Sequence, residues 1–442
     1  MQKLTWRQLA AVGSMLFGLF FGAGNLIFPV AMGQLAGRNL WAAAAGFLIT
    51  GVGLPLLGVA ALGLSRESGL LALSSRVGRG YGLAFTCALY LTIGPFFAIP
   101  RCATVSYTVG IAPLVPGGGA ALGVFSLAFF AVVLFFSLRP GQILTWVGKV
   151  LNPLFLAFLA VLVLRALAAP LGQAAAVEPA GAYRAAPFAT GLLEGYNTMD
   201  ALAGLAFGIL VVQAIRRLGV RAPGDVAVST VCAGVFSSAL MAGIYLLVTL
   251  VGAQSRGRFA AAANGGEALA QIAAAYFGRA GALILAATVT VACLKTAVGL
   301  ITSCGETFVE IFPHGPSYRV WAVGFCLLSF LIANLGLDAI LAWSQPVLMA
   351  LYPLAIVLIL LTLAGPLYGD DRAVLRGGLG CTAAAAVLEF LRALPAGAAP
   401  AVRPVVDWAA AWLPLYAKGF GWVLPAAVGC AAGLVVRARR SR

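Results

Sequence analysis

The run Phe21-Gly22-Ala23-Gly24-Asn25-Leu26-Ile27-Phe28-Pro29 interrupts a long apolar segment that begins near Gln8. Three small residues and an amide stand where a membrane helix would carry Leu or Val, and a Gly in a helix interior costs up to about 1 kcal/mol relative to Ala. In hydrocarbon an unwound backbone persists only where it is buried in protein or lines a cavity, because each unsatisfied N–H or C=O costs several kcal/mol there. Two readings follow. Either the first helix is broken at a ligand site near the membrane midplane, or the small residues let a neighbouring helix approach closely.

The surrounding composition belongs to a multi-pass membrane protein. Of 442 residues 62% are hydrophobic and 9% charged, with mean hydropathy +1.02, which excludes an ordinary soluble globule. Only Lys3 and Arg7 precede the first apolar segment, and no small-residue cleavage site leads into a soluble sequence, so that segment reads as a retained helix. His314 is the one histidine and no CxxC pair occurs among the eight cysteines. Imidazole clusters, Ser-His-Asp chemistry and a zinc site are thereby excluded, and the chain reads as a non-enzyme without a cofactor. The net charge of +15 is scattered among loops and speaks for membrane orientation rather than nucleic acid.

Hydropathy and helix breakers predict about twelve spans, at 8–35, 40–63, 79–109, 119–137, 142–167, 189–213, 224–252, 279–303, 318–334, 338–364, 373–394 and 415–436. A cytoplasmic N-terminus puts seventeen of the 28 Lys and Arg inside, Lys149, Arg66 and Arg442 among them, so both termini are expected to be cytoplasmic. Loops are too short for an independent soluble fold, and 1–442 is read as one transmembrane domain. In the outer loop 253–278, Asn264 to Phe277 has helical spacing and is expected to lie over an outer vestibule.

The sixth span decides between the two readings of the first. Glu194-Gly195-Tyr196-Asn197-Thr198-Met199-Asp200 is too polar to face lipid, and an apolar helix resumes at Ala201. Interrupted helices at corresponding positions of two five-helix halves point to a transporter site. The freed N–H groups and dipole of a half-helix suit a carboxylate, which makes an amino or carboxylic acid the natural substrate class. Asn25 and Asn197 are expected to fix the unwound backbone or a cation, since an amide both donates and accepts. Arg101, after Gly94-Pro95 and Ile99-Pro100, reads either as a gate residue or as a side chain snorkelling to the interface. Tyr107 and Trp343 are bulky outer-gate candidates, although aromatic residues near helix ends are ordinarily interfacial anchors, while Asp338 and Glu389 read as structural.

In the eighth span Lys295 stands about two-thirds of the way along an apolar helix. An ammonium there costs roughly 2.5 to 3.5 kcal/mol by insertion scales, which makes a functional role the default. Ala292, Lys295 and Thr296, at i, i+3 and i+4, share one helix face. Snorkelling to the inner end would have to bridge about 12 Å of helix rise.

With these pieces in view, the chain resembles the bacterial branched-chain amino acid carrier family, the cation symporters often called BrnQ. The resemblance covers nearly the whole length and is carried by FGAGNLIFP at 21–29, FLITGVGLPLLGV at 47–59, GYNTMDALAGLAFG at 195–208 and ACLKTAVGLI at 292–301. It implies the leucine-transporter-like, all-α membrane fold of the amino acid, polyamine and organocation superfamily: inverted five-helix repeats over about 8–167 and 189–364, with broken helices 1 and 6, plus two helices over about 373–436. It further implies a substrate carboxylate at the backbone of Ala23, Gly24 and Asn25, an ammonium at Glu194, Gly195, Tyr196, Asn197 and Thr198, and a cation between Gly18 and Phe21 of the first span and Ala292, Lys295 and Thr296 of the eighth. The family usually has a hydroxyl residue where this chain has Lys295. Two cations cannot share that position at low dielectric, so either the lysine replaces Na⁺ or it turns away and Na⁺ binds in an altered site. A lysine that sheds its proton during the cycle would couple uptake to H⁺, and a permanently charged one would leave an exchanger or uniporter.

The sequence therefore predicts a secondary transporter taking up leucine, isoleucine and valine across the bacterial cytoplasmic membrane by alternating access, Na⁺-independent through Lys295. The expected partners are the amino acid and the bilayer, with no nucleic acid and no obligatory protein. The alternative is Na⁺-coupled symport of the same substrates. A channel would need a continuous polar pore, and a receptor would usually add a soluble signalling domain.

Overall fold

The computed structural model of the chain describes residues 4–65, 67, 69–113, 118–139, 152–395 and 397–440, and within these it is helical with no strands. Among the described residues seven helices are long and apolar enough to cross a membrane, eight when the bent pair Pro187–Thr198 and Asp200–Arg217 is counted as one span. The start of the expected fifth span, 142–151 with Lys149, lies outside the described residues, as do Lys3, Arg66 and Arg442. That span is seen as Asn152–Ala168.

The first span is broken where the small residues predict. Helix Trp6–Phe20 ends at Phe21, and Gly22 leads into helix Ala23–Ala36. The sixth span runs as Pro187–Glu194, a tight 3₁₀ turn Gly195–Thr198, and helix Asp200–Arg217, bent by 45°. Met199 between them is left-handed, φ 64° and ψ 10°, a conformation uncommon for a residue with a long side chain. The third span is also bent. Gly94, before Pro95, has non-helical φ −95° and ψ −123°, and the helix restarts as Ala98–Ser106, as expected where proline removes a backbone donor.

Both halves of the first span pack on helix Pro223–Ser255, and both halves of the sixth pack on the second span, Leu40–Leu48 and Leu54–Ser65. Reciprocal glycines set the separation. A Cβ on Gly46 would lie 2.0 Å from the Phe188 carbonyl oxygen, and one on Gly191 2.0 Å from that of Ala43. Gly33 and Gly252 meet the carbonyls of Thr249 and Val30 at 2.0 and 2.3 Å in the same sense. These are backbone contacts that only glycine permits.

The outer-loop helix starts at Gly265, with Asn264 Oδ1 accepting from Glu267 N at 3.0 Å, and turns at Gly278 (φ 58°) into the eighth span, ending at Ile311. It rests on the first span, where a Cβ on Gly265 would meet the Ile27 carbonyl oxygen at 1.8 Å. Two expectations need correction. The last span begins at Val423, not 415, because Leu415 (φ 64°) and Gly419 (φ 81°) turn the chain around a short 3₁₀ segment first. Helix Ala399–Trp412 occupies a stretch expected to be loop. Of the two readings of Trp343, its 53% exposure on the bundle surface fits the interfacial anchor. Glu389 is buried and structural: Arg392 Nε and Gly421 N donate to it at 2.9 and 2.8 Å.

Candidate functional site

The two breaks meet around one buried cavity. Leu19, Phe20, Gly22, Gly24 and Asn25 come from the first span, Thr198, Met199, Asp200, Ala203 and Phe207 from the sixth, Ile93, Ala98, Arg101 and Cys102 from the third, and Thr296 and Leu300 from the eighth. Its volume, about 30 Å³, is room for roughly two waters and well below the ~300 Å³ at which ligand pockets begin. Taking in an amino acid therefore requires the lining side chains to move apart.

A carboxylate cluster joins the breaks. Asn25 accepts from the Gly22 N–H through Oδ1 at 2.8 Å, and its Nδ2 donates to Asp200 Oδ2 at 2.6 Å. Tyr245, from helix Pro223–Ser255, donates its hydroxyl to the same Asp200 oxygen at 2.8 Å and accepts from Asn25 Nδ2. The Asp200 N–H in turn donates to Thr198 Oγ1 at 3.3 Å. One amide thus satisfies a freed N–H of the first break and holds the carboxylate that starts the second half-helix, where negative charge is favoured.

Arg101 supplies the second link. Its Nη1 donates to the Asn197 carbonyl at 2.7 Å and Nη2 to that of Thr198 at 3.5 Å, while the guanidinium lies 5.1 Å from the centroid of the Phe28 ring. The kink at Gly94 to Phe97 starts the short helix that carries this side chain into the core instead of to the interface.

The residues expected from sequence are placed unevenly. Gly24, Asn25 and Thr198 line the cavity, as does Thr296, whose Cγ2 and Oγ1 lie 3.2 and 3.3 Å from where a Cβ on Gly22 would sit. Ala23 is the first residue of the half-helix. Asn197 contributes its backbone carbonyl. Tyr196 stacks on Tyr352 at 4.0 Å, Gly195 abuts Thr50, and Glu194 closes the preceding half-helix. Gly18 is buried in the Trp6–Phe20 helix, Phe21 stacks on Phe17 at 4.9 Å, Ala292 accepts from Thr296 Oγ1 at 3.2 Å, and Lys295 is half-buried beside it. Asp200 was visible only as a polar residue within the sixth-span break. Tyr245, a lone tyrosine in an apolar span 45 residues further on, gave no signal beyond its rarity there.

These contacts separate the two asparagines. Asn25→Leu removes three hydrogen bonds and orphans the Gly22 N–H, so uptake is expected to fall at least tenfold, a loss of roughly 1.4 kcal/mol. Asn197→Leu keeps the carbonyl that Arg101 uses and is expected to cost less. Equal losses in a side-by-side uptake assay would contradict this division.

A profile of the branched-chain amino acid transport protein family matches residues 6–440. The chain is 54% identical to the branched-chain amino acid permease BrnQ of Lactobacillus delbrueckii subsp. lactis over 97% of its length and 96% of that protein. It is 40% identical to BrnQ of Bacillus subtilis over 100% and 99%. Among solved structures it is similar to MhsT in complex with L-phenylalanine, at a TM-score of 0.56 and 16% identity over 99% of both chains. A nucleobase-cation-symport-1 family transporter, closed with bromovinylhydantoin bound, gives a TM-score of 0.57 at 14% identity over 97% and 91%. These two establish the fold alone, that of leucine-transporter-like carriers. The chain is a multi-pass membrane protein and belongs to the branched-chain amino acid transport protein family.

Proposed function

We propose that the protein takes up leucine, isoleucine and valine across the bacterial cytoplasmic membrane by alternating access, with both termini cytoplasmic. The observation that carries this reading is the convergence of two half-helix N-termini and two freed carbonyls on one buried cavity. N–H groups at Gly24 and Asn25 suit a carboxylate, and the carbonyls of Asn197 and Thr198 suit an ammonium. The relatives' names supply the side-chain class. Saturable leucine uptake with counterflow in proteoliposomes is expected; its absence would exclude a carrier for this substrate and leave a channel or receptor.

For coupling, we propose that Lys295 takes the place of the usual sodium ion and that uptake needs no Na⁺. Lys295 immediately precedes Thr296, the residue that packs on Gly22, and so stands about 100° around the helix from that contact. Thr296 also favours a second reading, since its hydroxyl at the first-span break is a potential Na⁺ ligand. Leucine uptake under imposed Na⁺ or pH gradients separates the two. Na⁺ dependence is expected only in Lys295→Thr, and strong Na⁺ stimulation of the wild type would overturn the lysine reading.

A further inference from the structure

Arg101 is a buried cation hydrogen-bonded to neutral carbonyls, with the Asp200 carboxylate on the same cavity acting on it at longer range, without a hydrogen bond. The residue is 4% exposed, its Nη1 and Nη2 donate to main-chain carbonyls, and its Nε has no hydrogen-bond partner among the described residues. A guanidinium carries five donors in a fixed fork that matches a carboxylate, and a buried charge is costly unless paired. The cavity therefore contains a cation whose fork is incompletely used, beside the Ala23–Ala36 half-helix N-terminus. The approach is close: a Cβ on Gly24 would sit 2.8 Å from Arg101 Nη2 and 3.2 Å from Cζ.

The carbonyls it occupies are those freed by the sixth-span break, the acceptors that the ammonium of an amino acid would need. We propose that Arg101 is an internal occupant of the substrate's ammonium position and, once displaced, the receptor of its carboxylate. On entry of the amino acid, the ammonium takes the carbonyls of Asn197 and Thr198. The released guanidinium swings on its unbranched stem and closes on the carboxylate next to Gly24. Binding is then an exchange of partners that only a zwitterion completes. An amine displaces the guanidinium and brings it no carboxylate to bind; a carboxylic acid pairs with the guanidinium and leaves two carbonyls without a donor. Arg101 thereby sets specificity for α-amino acids over their deaminated and decarboxylated counterparts. The proposal rests on the reading that the breaks hold a branched-chain amino acid.

The test is competition against radiolabelled leucine on purified protein, using leucine, leucine methyl ester, 3-methylbutylamine and 4-methylpentanoate, on the wild type, Arg101→Met and Arg101→Lys. In Arg101→Met, leucine affinity is expected to fall at least 30-fold while 3-methylbutylamine binds at least threefold more tightly than to wild type, because no cation has to be displaced. Arg101→Lys, which keeps the charge without the fork, is expected to fall between. Leucine affinity within threefold of wild type in Arg101→Met, or amine and amino acid losing affinity in step, would overturn the proposal and leave the substrate assignment standing. Should the variants not purify as monodisperse protein, the wild type decides: leucine methyl ester is expected to bind at least 30-fold more weakly than leucine, and binding within threefold overturns the proposal. Failure of wild type to bind leucine at all removes the substrate reading and this proposal with it.

Discussion

Asp200→Leu is expected to lower leucine uptake at least a hundredfold. The single oxygen Oδ2 of Asp200 accepts from both Asn25 Nδ2 and Tyr245 Oη, and hydrogen bonds to a charged acceptor contribute about 1.5 to 3 kcal/mol each. A leucine removes both, leaving the Tyr245 hydroxyl buried without its acceptor and Asn25 Nδ2 with Tyr245 Oη alone. Two such losses amount to about 3 kcal/mol, roughly 150-fold in a binding or rate constant. Tyr245→Phe removes one donor and keeps the Asn25–Asp200 bond, so its loss should be smaller, near tenfold. Uptake into proteoliposomes should be measured beside thermal stability of the purified variants. A cluster that only holds the fold together would lower stability and the amount of active protein together, with the substrate KM unchanged. Uptake within threefold of wild type in Asp200→Leu would show that the carboxylate is not part of the transport machinery.

Gly24→Leu is expected to abolish measurable leucine binding while the protein still folds. The side chain would project where Arg101 Nη2 and Phe28 Cε2 now lie, 2.8 and 3.2 Å from the added Cβ. Both are outer parts of side chains rather than backbone, so the structure can give way. The cavity, with room for roughly two waters, cannot. Gly24→Ala should be intermediate, because one methyl displaces the guanidinium only slightly. Equilibrium binding at a monodisperse size-exclusion peak is the measurement, and normal leucine affinity in Gly24→Leu would move the substrate site elsewhere in the bundle.

The breaks were legible because glycine and polar side chains inside an apolar segment have few physical explanations in a bilayer. Their partners were less so. The bonds from Asn25 reach Asp200 and Tyr245 across 175 and 220 residues, and hydropathy carries no information about which spans touch. Arg101 remained ambiguous for a local reason: whether a long basic side chain snorkels or turns inward depends on the angle at Gly94 to Phe97, which the sequence marks as a kink without giving its direction. Helix Ala399–Trp412 lies in a stretch between two expected spans and contains Pro400 and Pro404, residues that ordinarily interrupt a helix. Pro400 lies in the first turn, where a missing N–H costs nothing, and Val405, Trp408 and Trp412, all exposed, form the apolar stripe of a helix lying on a surface.

The reciprocal glycines limit which helices can move independently of each other. At Gly33 with Gly252, and at Gly46 with Gly191, main chain rests on main chain with no side-chain layer between, so neither surface has ridges over which the other could slide to a new register. Each broken span is fastened in this way to an unbroken neighbour. Under the alternating access proposed above, the first and sixth spans would therefore travel with the seventh and second as one stiff four-helix frame. Within such a frame only the breaks, at residues 21–22 and 195–199, lack continuous helical hydrogen bonding, and they are where it would bend.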